Sequence, residues 1–386
     1  MAIHANNVTG SATSTGSFGH ILKGGVNWDT AVSASAATVG FGSGGGSGFD
    51  YTSGSSPVVT TNPSSLGATW INTTSGEIFV CHDITSGENN WLGTAGTEVV
   101  PAGADYFGSR GLWGGGYSPN SNVIDYVTIA TTGNATDFGD LTAAVRENTA
   151  CSNGTRGVFG GGQSNATTNV IDYVTISTPG NAIDFGDMTI TIQNRSACSN
   201  GTRGVFAGGG GSGTDYNVID YITIASTGNA TDFGDMTLAK NSFGACSNGT
   251  RGVFGGGYGG GDLNVIDYIT IATTGNAIDF GDLSVARWGI TACSDGTKGV
   301  FGGGYSSHNT IDYVTIATTG NASDFGDLSV ARYATGACSD GTKGLWGAGY
   351  SSHNTIDYVT IATTGNALDF GDLTVSRGYL GSCSGT

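Results

Sequence analysis

The sequence predicts an all-β chain whose larger part is a six-bladed β-propeller, and three observations carry that expectation. The tripeptide Ile-Asp-Tyr occurs six times, with its Ile at 124, 171, 219, 266, 311 and 356, a mean period of about 46 residues. Each copy sits in the same order of short motifs, all too short and too rich in β-branched and aromatic residues for helices. Glycine supplies 70 of the 386 residues, placed at regular intervals as turn and strand-end punctuation.

Each repeat reads as four antiparallel strands. Strand a is the Ala-Cys-Ser segment around Cys151. Asn153-Gly154 follows, and Asn-Gly or Asp-Gly at this place supplies the positive φ of a tight hairpin. Strand b is the segment Gly157-Val158-Phe159-Gly160. Strand c is the Val-Ile-Asp-Tyr-Val-Thr type of segment, whose two faces are both mostly apolar and therefore covered on both sides. A Thr-Gly-Asn-Ala turn leads to strand d, the Asp-Phe-Gly-Asp motif. From the last Asp of that motif to the next Cys is 11 residues in every copy, as from Asp140 to Cys151 and from Asp372 to Cys383. The first repeat opens at strand b, Gly111-Leu112-Trp113, and the last segment, Gly378 to Thr386, holds a strand a with no blade of its own. That segment is expected to complete blade 1 and close the ring, protecting edges that an open array would expose. Asp105 to Ser109 is the competing source of the closing strand.

The organisation expected is therefore a Gly/Ser/Thr-rich attachment segment at 1–66, a small hairpin element with a linker at 67–104, and the propeller at 105–386. Within the first segment, Phe18 to Leu22 and Val26 to Trp28 look like short anchoring elements. Thr69 to Asn72 and Ile78 to Cys81 read as a hairpin, with Trp91 as a further apolar anchor, and Glu98 to Ala104, containing Pro101, reads as the linker.

Composition narrows the function classes. Lys and Arg number 13 against 30 Asp and Glu, a formal charge of -17, which argues against nucleic acid as a partner. Three Asp per repeat account for most of the acid, so the charge is a by-product of the repeat. No run of 18 apolar residues predicts a membrane span, and the start of the chain shows no signal peptide pattern. Seven Cys exclude a fully paired disulfide framework.

The repeat resembles the kelch family. The resemblance rests on Gly-Gly pairs closing strand b (Gly255-Gly256, Gly302-Gly303), on Tyr268 or Tyr313 in strand c, and on a basic residue before strand a (Lys240, Arg287, Arg332, Arg377). Two features depart from it: Phe stands at strand d (Phe138, Phe185, Phe233, Phe280, Phe325, Phe370), and Val145 and Ile192 take the basic position in the first two copies. The hairpin around residues 69–81 and the Gly10 to Gly19 stretch resemble segments of bacteriophage tail-fibre and appendage proteins, notably of marine phages. That resemblance implies a virion structural protein, assembled in the host cytoplasm, bound to other virion proteins through its N-terminal region and forming a homo-oligomer.

The repeated motifs suggest chemistry only weakly. Asp-Phe-Gly has no kinase partners around it, and the Asp spacing lacks the alternating ligands and closing Glu of a calcium loop. The Asp residues read as caps on local backbone N–H groups. The six strand-a Cys lie one per blade, unlike a Cys-x-x-Cys pair, and read as small residues filling the taper near the axis. The Gly runs lack the Lys-Ser/Thr of a phosphate loop. No cofactor or metal and no catalytic residues are expected.

Variation among repeats points elsewhere. Strands and the a–b and c–d turns barely change, while the b–c loops and d–a links differ from blade to blade. Antiparallel connectivity brings both sets to one face, where binding is commonly built on a rigid scaffold. The candidate binding residues are Tyr117, Tyr258, Trp288 and Tyr305, together with His308, Tyr333, Tyr350 and His353. Aromatic, hydroxyl and amide groups of this kind suit stacking on sugars or contact with a protein surface. The expected function is presentation of this face, toward a glycan or protein on a host surface. A non-viral adhesion propeller and a carbohydrate-active enzyme are the alternatives, the last needing a pair of carboxylates in the central pocket.

Overall fold

In a computed structural model of the chain, the described residues are 107–386, apart from 118, 212, 307, 351 and 352. Before them the described residues are 22–23, 26–27, 50–53, 57, 67–73, 78–83, 90–93 and 98–99. The chain divides into two compact units, Met1–Pro101 and Ala102–Thr386. Every regular element among the described residues is a strand.

The second unit is a six-bladed propeller. Blade 2 shows the pattern: strand a Thr149–Ser152, b Arg156–Gly160, c Val170–Thr175 and d Ile183–Asp187, hydrogen-bonded in that order. Blades 3 to 6 repeat it, beginning with strands a at Ser196–Ser199, Gly244–Ser247, Thr291–Ser294 and Gly336–Ser339. Blade 1 takes strands b to d from Arg110–Gly114, Ser121–Thr128 and Thr136–Val145, and its strand a from the other end of the unit, Gly381–Gly385. Cys383 lies opposite Leu112 in that register, so the closing strand is the C-terminal one rather than residues 105–109.

Side-chain chemistry explains why these residues stack as blades. Within each blade the strand-c Tyr meets the strand-d Phe edge to face, as Tyr173 meets Phe185 at 5.9 Å. A strand-b base lies over the same Tyr, as Arg156 lies 4.7 Å from the ring of Tyr173. Between blades, that base donates to a carbonyl of the next blade: Arg156 to Ile224 and, across the closure, Lys343 to Ile129. Asn Oδ1 in the c–d turn accepts from the strand-d Asp N–H of its neighbour six times over, from Asp140 to Asn181 around to Asp372 to Asn134. Nearer the axis, Ser199 Oγ donates to the Ser152 carbonyl and Ser247 Oγ to that of Ser199.

Two glycine positions are dictated by these interfaces. The Gly of Asp-Phe-Gly-Asp has φ near +147°, and a Cβ on Gly186 would lie 2.5 Å from the Gly228 carbonyl of the next blade. The strand-b Gly faces a strand-a thiol: a Cβ on Gly252 would lie 2.6 Å from Cys198 Sγ, and one on Gly157 would lie 2.9 Å from Cys383 Sγ. Each Cys is therefore a peg in a glycine-floored hole of the adjacent blade.

The a–b turn is the tight hairpin expected from Asn-Gly and Asp-Gly, with three loop residues between strands a and b. Only its Gly has positive φ, +84° at Gly154, and Asn153 instead turns its Oδ1 toward the N–H groups of Thr155 and Arg156. The side chain caps a three-residue loop, leaving no need for a second positive φ.

In the first unit, Thr69–Asn72 and Ile78–Asp83 form the expected hairpin, inside a five-stranded sheet with Tyr51–Ser53, Asn90–Gly93 and Glu98–Val99. Glu98 and Val99, expected in the linker, pair with Leu92 and Trp91 and so satisfy the outer edge of that strand. Ala68, Phe79 and Cys81 are buried, and Tyr51 stacks on Trp70 at 5.7 Å. Of the anchoring elements expected near the start, Leu22–Lys23 and Val26–Asn27 form a two-stranded pair. Phe18 to Ile21, Trp28 and the Gly10 to Gly19 stretch lie outside the described residues.

Candidate binding face

The b–c loops and d–a links come together on one face. Their backbones bridge, as Asn241 does with Tyr258 and Tyr117 with Gly378. At the centre of the face, the d–a links close into a ring of hydrogen bonds around the axis. Glu147 N–H donates to the Tyr379 carbonyl, Asn194 to Glu147, Ser242 to Asn194, Gly289 to Ser242, Ala334 to Gly289, and Tyr379 to Ala334, at 2.7–3.0 Å. All six residues have φ between +55° and +69°. Only one is Gly, although this conformation costs other residues about 1 kcal/mol each. One backbone geometry thus carries six different side chains around the rim of an axial pocket.

Outside that ring the face is two-sided. On one side, aromatic rings form a continuous arc. Tyr258 meets Trp288 edge to face at 6.4 Å, and Trp288 stacks on Tyr305 at 4.4 Å. Tyr333 packs against Trp288, Tyr305 and Tyr350 at 5.1–5.5 Å, and Tyr350 stacks on Tyr117 at 6.5 Å. Tyr117, Tyr258, Tyr305 and Tyr350 are exposed, between 37% and 42%. On the other side the equivalent positions are polar. Arg146 donates to Gln163 Oε1 at 2.5 Å, Gln193 bridges to Gly210, and Asn241 Nδ2 donates to Asp215 at 2.6 Å. Arg146 also lies 4.7 Å from the Tyr117 ring, where the two sides meet.

Six of the eight residues predicted from sequence are thus in one contiguous arc. His308 and His353 are half-buried in the b–c loops of blades 5 and 6, and the arc is built from Tyr and Trp rings without them. The sequence reading missed Tyr379, which touches Tyr333 and Tyr350 at 6.1 and 5.7 Å and lines the axial pocket. Its signal was present: Gly378-Tyr379 occupies the same variable link as Tyr333-Ala334.

Electrostatics at the pocket centre on Glu147. Burial raises its carboxyl above the ordinary range, partly offset by Arg146, whose Nε lies 3.5 Å from Oε1. Burial likewise raises the Tyr333 and Tyr379 hydroxyls. Glu147 is the one carboxylate among the residues lining this pocket, which it shares with hydroxyls and amides. The pocket does not hold the carboxylate pair of glycoside hydrolysis. The opposite end of the axis is lined by the strand-a Cys and Ser residues with Phe107. All six thiols there are free and buried, and burial pushes those of Cys198 and Cys383 up to about 12, leaving them protonated. Among the described residues, no three His, Cys, Asp or Glu side chains converge as a metal site would require. No helix among them is long and apolar enough to cross a membrane.

Five of the strand-c Asp residues, to which the sequence reading gave no role of their own, form buried ion pairs. Asp125, Asp220, Asp267, Asp312 and Asp357 are fully buried and paired with Arg377, Arg195, Lys240, Arg287 and Arg332 at 2.5–3.0 Å. The basic residue thought absent at Ile192 is supplied three positions later by Arg195.

Comparison with known proteins adds no name to this geometry: no protein-family model matches the chain, and no curated protein matches it.

Proposed function

We propose that the chain is a non-catalytic recognition propeller whose aromatic arc stacks on a carbohydrate. The observation that carries the reading is the asymmetry of the face. A sixfold backbone scaffold bears exposed aromatic rings on one side and amides, Arg and hydroxyls on the other, with a different side chain at each of six rim positions. Sugars present apolar C–H faces for the first and hydroxyls for the second. The blades are read as kelch-like on their Gly-Gly pairs, strand-c Tyr and bases. The setting is read as a phage particle, on the likeness of the N-terminal segments to tail-fibre and appendage proteins, with that region docking to other virion proteins and the face turned to a host surface glycan. Supporting a binding role, the rim keeps Glu147, Ser242, Ala334 and Tyr379 in a conformation where Gly would be less strained.

The test is a glycan array probed with the full chain, followed by calorimetric titration of any sugar retained. Trp288→Ala and Tyr333→Ala are expected to weaken binding at least about 10-fold, as loss of a stacking contact does, with unchanged circular dichroism. Binding to no glycan, or equal affinity in both variants, would overturn the carbohydrate reading. Absence of the chain from purified particles by immunogold microscopy would overturn the virion setting.

A further inference from the structure

Five of the six blades bury a cation against the strand-c Asp; blade 2 does not. In blade 5, Arg287 binds Asp312 at 2.8 Å and donates to the carbonyls of Gly303 and Phe301. In blade 4, Lys240 binds Asp267 at 3.0 Å and lies within 3.3 Å of the Phe254 and Val265 carbonyls. In blade 3, Arg195 makes the equivalent contacts to Asp220, Phe206 and Val218. The corresponding acid of blade 2 is Asp172, 7% exposed, and its hydrogen bonds come from the N–H and Oγ of Thr142 at 2.7–3.1 Å.

Both positions that could supply the cation are neutral. Val145 stands where blades 4, 5, 6 and 1 use Lys240, Arg287, Arg332 and Arg377. Its backbone is in the same place, since its carbonyl accepts from Gly116 as that of Arg287 accepts from Gly257. Asn148 stands where blade 3 uses Arg195. The nearby Arg146 is committed elsewhere, to Gln163 and over Tyr117.

The volume the missing side chain would fill is a cavity. It holds about 400 Å³ of empty space, mouth included, and is lined by Asp172, Asn148, Val145, Phe159 and Val170 among others. Phe159 and Val170 are the counterparts of the residues whose carbonyls receive the cation in blades 3 and 4. Asn148 is only 6% exposed, and its Oδ1 accepts no hydrogen bond from a described residue. The cavity thus has partly apolar walls carrying one carboxylate, Asp172, and the Asn148 amide, with no cation of its own.

We propose that this cavity is a binding site for a small organic cation carrying N–H donors, an alkylammonium or guanidinium group, seated on Asp172. The ligand takes the place that Lys or Arg side chains occupy in the other blades. Its N–H groups meet the carboxylate, the Asn148 amide oxygen and the strand carbonyls, a donor-rich geometry that a bare sodium ion does not match.

The test uses the full chain and methylguanidinium chloride at millimolar concentrations, against sodium chloride at equal ionic strength. Thermal unfolding is expected to show a saturable rise in midpoint, about 2 °C or more, for the unaltered chain only. Asp172→Asn, which removes the charge but keeps one acceptor oxygen for the Thr142 N–H, should not respond. Val145→Arg should unfold at a higher midpoint without ligand and lose the response. A carboxyl ¹³C resonance of Asp172 that moves on titration provides a second readout independent of stability. No rise beyond that in sodium chloride, or an equal rise in Asp172→Asn, would overturn the proposal.

Discussion

Replacement of Gly252 by Ala tests the peg-and-hole account of blade packing. The new methyl would sit 2.6 Å from Cys198 Sγ, with Ile269 Cγ1 at 3.3 Å and Ile271 Cγ1 at 3.5 Å. A carbon and a sulfur in contact need about 3.7 Å, so roughly 1 Å of overlap must be absorbed between two buried strands. Cys198 is 6% exposed and Gly252 lies in a strand bonded on both sides, so neither can retreat without disturbing a ladder. Overpacking of this kind costs about 1–3 kcal/mol. Cys198→Ala alone removes the peg and leaves a small void, costing about 1–2 kcal/mol. In the double variant the methyl introduced by Gly252→Ala takes the space the sulfur vacates. The two costs should then cancel in large part, leaving an interaction energy of about 1.5 kcal/mol or more in the favourable direction. Guanidinium unfolding of the four chains, with equal m-values, measures it. Additive costs would refute the interlock. The same cycle on Gly157 and Cys383, 2.9 Å apart by the same construction, extends the test to the closing interface.

Further outcomes follow from the buried charges and the rim. Asp312→Asn leaves Arg287 buried without its counter-ion and should cost about 3–5 kcal/mol in denaturant unfolding. Asp172→Asn should cost little at neutral pH, because burial, ahead of the opposing Thr142 hydrogen bonds, raises the Asp172 carboxyl above its ordinary 3.8. A carboxyl raised in the folded state contributes stability below the unfolded value that is lost as pH rises through the folded one. Asp172→Asn should therefore gain on the unaltered chain as pH rises above 3.8, in denaturant midpoints read across the acid-to-neutral range; a pH-independent difference would contradict the assignment. Ala334→Gly relieves a φ of +55° on the rim and should stabilise the fold by about 0.5–1 kcal/mol, read in denaturant unfolding, whereas a loss would show that the position is unstrained.

The period, strand order, closure and variable face were legible because each is a local pattern repeated in register: Ile-Asp-Tyr marks strand c, and the link before Cys383 marks a strand without its own blade. What stayed hidden depends on contacts between blades or on conformation that composition conceals. Arg195 is three positions away from the expected base, and only the folded chain shows that its longer path reaches the same Asp. The strand-c Asp and its base lie at least 25 residues apart in the chain, so nothing local in the sequence marks the two as an ion pair. The axial ring escaped notice because Glu147, Ser242, Ala334 and Tyr379 give no hint in their identity of a left-handed backbone. Likewise, Val145 was visible as a departure from the repeat, but the cavity it leaves beside Asp172 is a property of packing.

The central claim is that the segment Gly381–Gly385 is the inner strand of blade 1, equivalent to the strands a of the other five blades. Amide hydrogen exchange read by mass spectrometry on the full chain tests it most directly. Peptides spanning Gly381–Gly385 and Arg110–Gly114 are expected to be protected to the same degree as those spanning Thr149–Ser152 and Arg156–Gly160. Exchange of 381–385 at the rate of an unstructured peptide, with 110–114 exchanging as an open edge, would contradict it.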